Sequence, residues 1–423
     1  MVVHSSFGSP SFQLVAKGLV ALHRLIKAGK DDSPEAEATR DSLDSPLKAL
    51  NRIEKERAQW LSEDLYSVSE PPATTTQKEM NAQAQQEFYE AIEARRGQEW
   101  DRALTLLRRW REHTSPALLS LQRGLIWLEA GNPDVAVVFF GHASESDPSN
   151  AMYQASYLHA LAESDPDAAE KLAQELLADD NKYAALLVAR AAAILLRNSR
   201  TASNAESVTL YHRLISILER NLEKIEEENY ATRDVALATT IGPLGFCYEF
   251  LGNAKAAVNC YSLGIQVNPS NDALFVARGI LQYGNSPRAI SDFEQAVSLD
   301  SPVIWPYLFL AHHCLVTSQF EQCRAMCEAG LRMNGSDSAK SQLEEWRAIA
   351  QAELGFPPEL VRAAFESATR LDPSNELAKR NRDLFEASLR APRVRPTLSN
   401  WEQKSVAAVR NLGLAERRYS LAA

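Results

Sequence analysis

SLQRGLIWLEAGNPDVAVVFFGHASESDPSN, residues 120–150, decides the fold. Gly124, Trp127, Gly131, Ala136, Phe140, Ala143 and Pro148 stand at relative offsets 0, 3, 7, 12, 16, 19 and 24. Apolar residues recur at helical spacing on both sides of Gly131-Asn132-Pro133, which predicts two helices joined by a tight turn. Glycine at the turn tolerates left-handed backbone, and small residues elsewhere let two helix axes approach closely.

The same offsets return without a gap at Gly245, Tyr248, Gly252, Ala257, Tyr261, Gly264 and Pro269. Weaker copies follow at Ala277, Ile280, Gly284, Ala289, Phe293 and Ala296, then 34 residues on at Ala311, Cys314, Ser318, Cys323, Cys327 and Gly330. A later copy keeps Phe365, Ala368 and Pro373 but has Val361 where a small residue belongs at the tight crossing. Before the clearest copy, residues 87–110 read as a degenerate first repeat, with Gly97 and Ala103 one residue too far apart. A helix pair recurring about every 34 residues is the mark of a stacked array.

This spacing resembles the tetratricopeptide repeat (TPR) family, strongly over about four copies. The resemblance does not reach residues 1–78 or 390–423. It implies an all-α, right-handed superhelical solenoid of antiparallel helix pairs, whose concave groove receives a peptide or extended segment. Some relatives clamp a C-terminal carboxylate with Lys and Asn at fixed inner positions; the equivalent positions here are mostly apolar or aromatic, so that clamp is not expected.

Outside the array, Leu14, Leu19, Leu22 and Ile26 predict a helix from Phe12 to about Ala28, and a second helix is expected over 45–66 with Pro46 in its first turn. Residues 1–78 then form an N-terminal helical arm or hairpin, ending in a polar linker over 67–77 with Pro71-Pro72. A first repeat block is assigned to 79–198 and a second to 231–389. Between them, 199–230 holds a loop and a long helix over 207–229, either an insertion or a break. Residues 390–423 form a basic tail. It is extended at first, then helical from Trp401 to Leu414 with Val406, Val409 and Leu412 on one face, a candidate cap for the bare end of a solenoid.

Composition bounds the function. Charged residues make up 24% of the 423 and the net charge is −10, which argues against a nucleic-acid binder. The charge is uneven: Lys379–Ala423 carries about +6, and a basic end on an acidic body suits folding back or an acidic partner. Five cysteines, all after residue 246, do not form a secreted disulfide framework. The start lacks a secretory signal, and the most apolar run, residues 184–196, is too short to span a bilayer. The expected location is the cytoplasm, with no membrane partner.

No phosphate loop, nucleophile elbow, dinucleotide fingerprint or HExxH is present. GNAKAA at 252–257 reads as a repeat turn, SEDLYSVSE at 62–70 as a helix end, and the run Glu219, Glu223, Glu226, Glu227, Glu228 as a solvated helix face. Cys314, Cys323 and Cys327 with His312 or His313 have ligands for zinc, but they occupy core positions of the repeat, where cysteine serves as a small apolar side chain. No cofactor, metal or catalytic group is assigned.

The inner groove of the second block carries the functional expectation. Register assigns to it Phe246, Glu249, Arg278, Leu281, Trp305, His312 and Trp346. Aromatics and arginine recur at interface hot spots, although Trp305 and Trp346 also suit packing between neighbouring repeats. In the first block Leu118, Leu121, Leu125 and Leu128 take the same positions, which suggests a cover over that stretch by the N-terminal helices. The expected function is a non-catalytic scaffold or adaptor binding a protein or peptide. The alternatives are self-assembly into a homo-oligomer and, behind it, an accessory subunit of an enzyme.

Overall fold

The computed structural model describes residues 7–68, 82–111, 113–199, 204–226, 230–390 and 401–417. Most of the expected linker at 67–77, the centre of the loop before residue 204 and the Arg/Pro stretch 391–400 lie outside them. Among the described residues the protein is all-α, with a 3-10 turn at Asp180–Lys182; an isolated parallel bridge pairs Val303 with Asn334. The chain divides into two compact units, Val3–Asn198 with Ile217–Thr240, and Ser199–Ser216 with Ile241–Ala423. Both have TPR-like helical-repeat architecture, with helices packed as antiparallel pairs such as α6 with α7 and α18 with α19.

The first unit contains α1 (Pro10–Lys27), α2 (Pro34–Ala49), α3 (Arg52–Ser67), α4 (Ala82–Arg96), α5 (Trp100–Arg109), α6 (Pro116–Glu129), α7 (Pro133–Ser146), α8 (Ala151–Ser164), α9 (Pro166–Ala178) and α10 (Ala185–Asn198). Helix starts follow local chemistry. Ser9, Ser33 and Ser115 accept a backbone N–H in the first turn of α1, α2 and α6, each followed by proline. Between α6 and α7 the chain turns at Gly131, whose φ of 81° favours glycine. A Cβ on Gly124 would lie 2.5 Å from Phe140, so glycine here is what lets α6 and α7 touch.

In the first repeat the left-handed turn residue is Gln98 (φ 60°), not Gly97, which restores the five-residue spacing to Ala103 seen from Gly131 to Ala136.

The N-terminal arm is three helices, which corrects the expected single helix over 45–66. Pro46 lies inside α2, and α3 starts anew at a capping box: Asn51 accepts from the Glu54 amide while Glu54 accepts from the Asn51 amide. Glu54 also accepts from the Ser9 backbone at 2.6 Å, tying α3 to the start of α1. Phe7 and Phe12 pack on Trp127 of α6, Arg57 forms a two-pronged pair with Asp101 at 2.6 Å, and Asp64 is buried against Arg123 at 2.9 Å and Arg108 at 3.3 Å. Burial pushes the Asp64 carboxyl up, with the two guanidiniums opposing. Leu118, Leu121, Leu125 and Leu128 are half-buried.

The long helix is α11 (Asn204–Ile225), followed by α12 (Tyr230–Phe250); the boundaries between units fall within these two. The second unit continues with α13 (Ala254–Val267), α14 (Asp272–Gln282), α15 (Arg288–Ser298), α16 (Trp305–Val316), α17 (Phe320–Gly330), α18 (Asp337–Glu353), α19 (Pro358–Leu371), α20 (Glu376–Arg390) and α21 (Val406–Arg417). Gly252 and Gly284 take the turn position at φ 79°, and Ser318 fills it at φ 62°. Gly245 sits under Tyr261 as Gly124 sits under Phe140. In the last copy the turn is at Gly355, and buried Val361 comes one residue later than the repeat spacing.

Candidate functional site

The site is a face of the second unit built from α14, α16, α18 and α20, the first helices of successive pairs. Over it lies the chain's own C-terminal segment. Helical spacing predicts a helix from Trp401 to Leu414; the structure starts that helix at Val406, with Ser405 accepting the Ala408 amide, and leaves Trp401–Ser405 outside any helix. The reason is that remote side chains take up its backbone groups.

Asn381 on α20 is fully buried and spans one residue of the segment. Its Oδ1 accepts the Glu402 N–H at 2.9 Å, and its Nδ2 donates to the Glu402 carbonyl at 2.8 Å. The same Nδ2 donates to Glu345 Oε1 at 2.9 Å. Gln342 and Asn375 donate to Glu345 Oε2 at 2.8 and 3.2 Å. Three amide donors favour the charged carboxylate, but burial outweighs them and pushes Glu345 up to about 7.

His312 on α16 meets the carbonyl of Lys404 at 3.1 Å. A carbonyl only accepts, so Nε2 carries the proton, and Nδ1 accepts from the Tyr283 hydroxyl at 2.6 Å. Burial pulls His312 down to about 4, so it is neutral near pH 7. Its ring lies 5.1 Å from that of Trp346, which is fully enclosed.

Trp401 anchors the segment. It is buried, its indole N–H donates to Glu353 Oε1 at 2.7 Å, and its ring centre lies 6.3 Å from that of Phe365. Burying an aromatic of this size contributes about 2–3 kcal/mol. Behind it α21 buries Val409 and half-buries Leu412 in the same cluster. Gly413 allows the close approach: a Cβ there would stand 2.7 Å from Phe309. Arg380–Glu402 and Ser336–Glu416 add contacts at the solvent edge.

The residues assigned by register are placed as follows. His312 meets the segment directly. Arg278 makes a bidentate pair with Asp292 at 2.7 and 2.9 Å and donates to Ser262. Glu249 accepts from the Tyr261 hydroxyl at 2.8 Å. Trp305 and Trp346 are buried in the main cluster, Leu281 packs against that of Ala257 and Tyr261, and Phe246 is half-buried edge-on to Tyr211. Sequence reasoning missed Asn381, Glu345 and Glu353. They lie on the helices at the weakly patterned end of the array, and no motif marks them.

Cys323 and Cys327 are fully buried, and burial raises the thiols of Cys327, of Cys314 (to about 11) and of Cys247 (to about 12), so they stay protonated. Among the described residues no group of three or more His, Cys, Asp or Glu could hold a metal ion, and no helix is long and apolar enough to cross a membrane.

Comparison with known proteins adds three distant structural likenesses. A tetratricopeptide repeat protein from Parabacteroides merdae is 14% identical, with a TM-score of 0.38 over 64% of this chain and 100% of the other. The APC/C hetero-tetramer Cut9–Hcn1 gives 13% identity and a TM-score of 0.38, covering 88% and 87%. The human IFIT1 dimer with m7Gppp-AAAA gives 14% and 0.35, covering 99% and 96%. No family model matches the chain, and no curated protein matches its sequence.

Proposed function

We propose that this protein is a non-catalytic interaction module that holds an extended segment of a partner protein against the α14–α16–α18–α20 face. One observation carries the reading: this face already holds a non-helical stretch of polypeptide, with buried side chains bonded to its main chain at Glu402 and Lys404. Main-chain hydrogen bonds supply affinity for extended peptides, and side-chain pockets supply selectivity. In this reading His312 contacts the partner, while Phe246, Glu249, Arg278, Leu281, Trp305 and Trp346 line or brace the face.

Catalysis is not part of the proposal. The strongly shifted groups at the face, Glu345 and His312, are both engaged in holding the segment rather than aimed into open space. The cytoplasm suits five cysteines that are all free.

Affinity capture from the source cell, read by mass spectrometry, tests this with wild type beside Asn381→Ala. A partner depleted by the substitution supports the face; a partner kept at full yield moves the binding surface elsewhere. Recovery of the chain alone favours self-assembly.

A further inference from the structure

We propose that the face formed by α16, α18 and α20 is a binding site for an extended peptide that presents a tryptophan, and that Trp401–Ser405 fills it as the chain's own competing ligand. The inference rests on reading this face as an interaction surface and names the chemistry of what it takes.

The contacts separate into generic and selective ones. Asn381 reads the N–H and C=O of Glu402, and His312 reads the C=O of Lys404, groups that any residue offers. The Glu402 side chain is exposed and makes an ion pair with exposed Arg380. Only at Trp401 is a side chain enclosed and recognised, by the Glu353 carboxylate on the indole N–H and by Phe365 beside the ring. A phenylalanine here would leave Glu353 without that donor, so the site selects indole.

The receptor groups are also held from behind. Asn381 is fixed by Glu345, Glu345 by Gln342 and Asn375, and His312 by Tyr283. A clamp oriented by its own supports loses little entropy when a peptide arrives. A cap that merely covered apolar surface would need only the helix α21, with Val409, Leu412 and Gly413 against the core. The non-helical stretch ahead of it, with the Glu402 N–H and C=O and the Lys404 C=O bonded to the face, is held as a bound peptide would be.

The occupant in trans is a segment of another protein rather than a second copy. Ten residues separate Arg390, the end of α20, from Trp401, so the segment in cis competes as a tethered ligand. An identical segment from a second copy makes the same contacts without that advantage and loses. A partner whose indole segment makes additional contacts displaces it.

The test uses the full-length chain and a fluorescein-labelled peptide, SNWEQKS, matching residues 399–405. Trp401→Ala weakens the occupant in cis, and Gly413→Leu dislodges α21 against Phe309 without altering any side chain of the face. Whichever variants keep a cooperative melt are titrated by anisotropy. The expected result is binding at least tenfold tighter than to wild type, a tenfold loss when the peptide's Trp is replaced by Phe, and a similar loss when Asn381→Ala is added. No saturable binding to a folded variant, or binding indifferent to the indole, overturns the proposal. So does a wild-type dimer by light scattering that dissociates on Gly413→Leu, because the occupant is then a second copy. A captured partner that depends on Asn381 but is not displaced by the peptide overturns this inference and leaves the interaction module standing. Peptide binding with no captured partner supports the site and removes the broader reading.

Discussion

Both ends of the chain fold back on repeats, and they are held by different balances of side-chain and main-chain contact. The N-terminal arm is bound through side chains: Phe7 and Phe12 against Trp127, Arg57 on Asp101, and Asp64 buried between Arg123 and Arg108. The C-terminal segment is bound through its main chain, at Glu402 and Lys404, with Trp401 as the enclosed anchor before α21. Side-chain pairs of this kind do not tolerate the loss of one partner alone, and they make the arm a fixed part of its unit. Main-chain bonds accept any sequence that lies extended, and they describe a place that can exchange occupants.

The largest effect that would break this comparison lies in the arm. Asp64→Ala leaves Arg123, 3% exposed, as a buried charge without its carboxylate. Removing one partner of a buried pair costs about 3–5 kcal/mol. Urea unfolding of the variant should show a loss of that size, and Asp64→Leu with Arg123→Met should recover most of it. A loss below about 1 kcal/mol for the single variant would mean the arm is held no more firmly than the tail.

The next effect concerns pH. Glu345, beneath the Asn381 clamp, is raised from 4.5 to about 7 by burial. Between those values the folded state keeps a proton that the unfolded state gives up. The contribution is therefore present below 4.5 and lost as pH rises through 7, on the order of 3 kcal/mol at most. His312 is lowered from 6.5 to about 4, also by burial, so its contribution is present above 6.5 and lost as pH falls through 4. The two slopes oppose across the window they share. Glu345→Gln should leave the His312 slope exposed, with stability rising from pH 4.5 to 6.5 more steeply than in wild type. Equal slopes in urea melts across that range would show that Glu345 does not titrate as its burial dictates.

Smaller again is Trp401→Ala. A buried tryptophan removed from a rigid core costs about 3–5 kcal/mol, but this loss has a ceiling. The segment can undock rather than carry the cavity, so the loss cannot exceed its docking free energy. We expect about 2 kcal/mol in global stability, with trypsin cleavage after Lys404 or Arg410 accelerated well before the repeats open. Unchanged cleavage would place the segment's hold in α21 and not in Trp401.

These contrasts mark what the sequence could disclose. The repeat was legible because its small and aromatic positions meet physically: Gly124 under Phe140 and Gly245 under Tyr261, the pairs whose offsets repeat in the chain. The irregular first copy was legible once Gln98 is seen to take the left-handed turn. Local patterning failed at Trp401–Ser405, where helical spacing suggested a helix. The backbone groups there are claimed by Asn381 and His312, 21 and 92 positions away. Register could assign His312 to an inner face but carried no information on what lies over that face. Pro46 misled for a similar reason: a proline suits a first turn, yet the capping box at Asn51 and Glu54 set the start of α3.

The smallest effect bears on both ends at once. Each carries an exposed ion pair, Lys27–Glu145 at 2.8 Å in the arm and Arg380–Glu402 at 2.9 Å on the tail. These pairs are well formed geometrically, but water screens them and ordering two long side chains offsets the attraction, which leaves about 0–1 kcal/mol. Lys27→Ala and Glu402→Ala should therefore leave unfolding midpoints nearly unchanged, and Glu402→Ala should keep both Asn381 bonds because they engage the main chain. The second substitution sharpens the comparison most. If Glu402→Ala released the tail as readily as Trp401→Ala, the segment would be held by charge at its edge, and the distinction between a side-chain-bound arm and a main-chain-bound tail would fail.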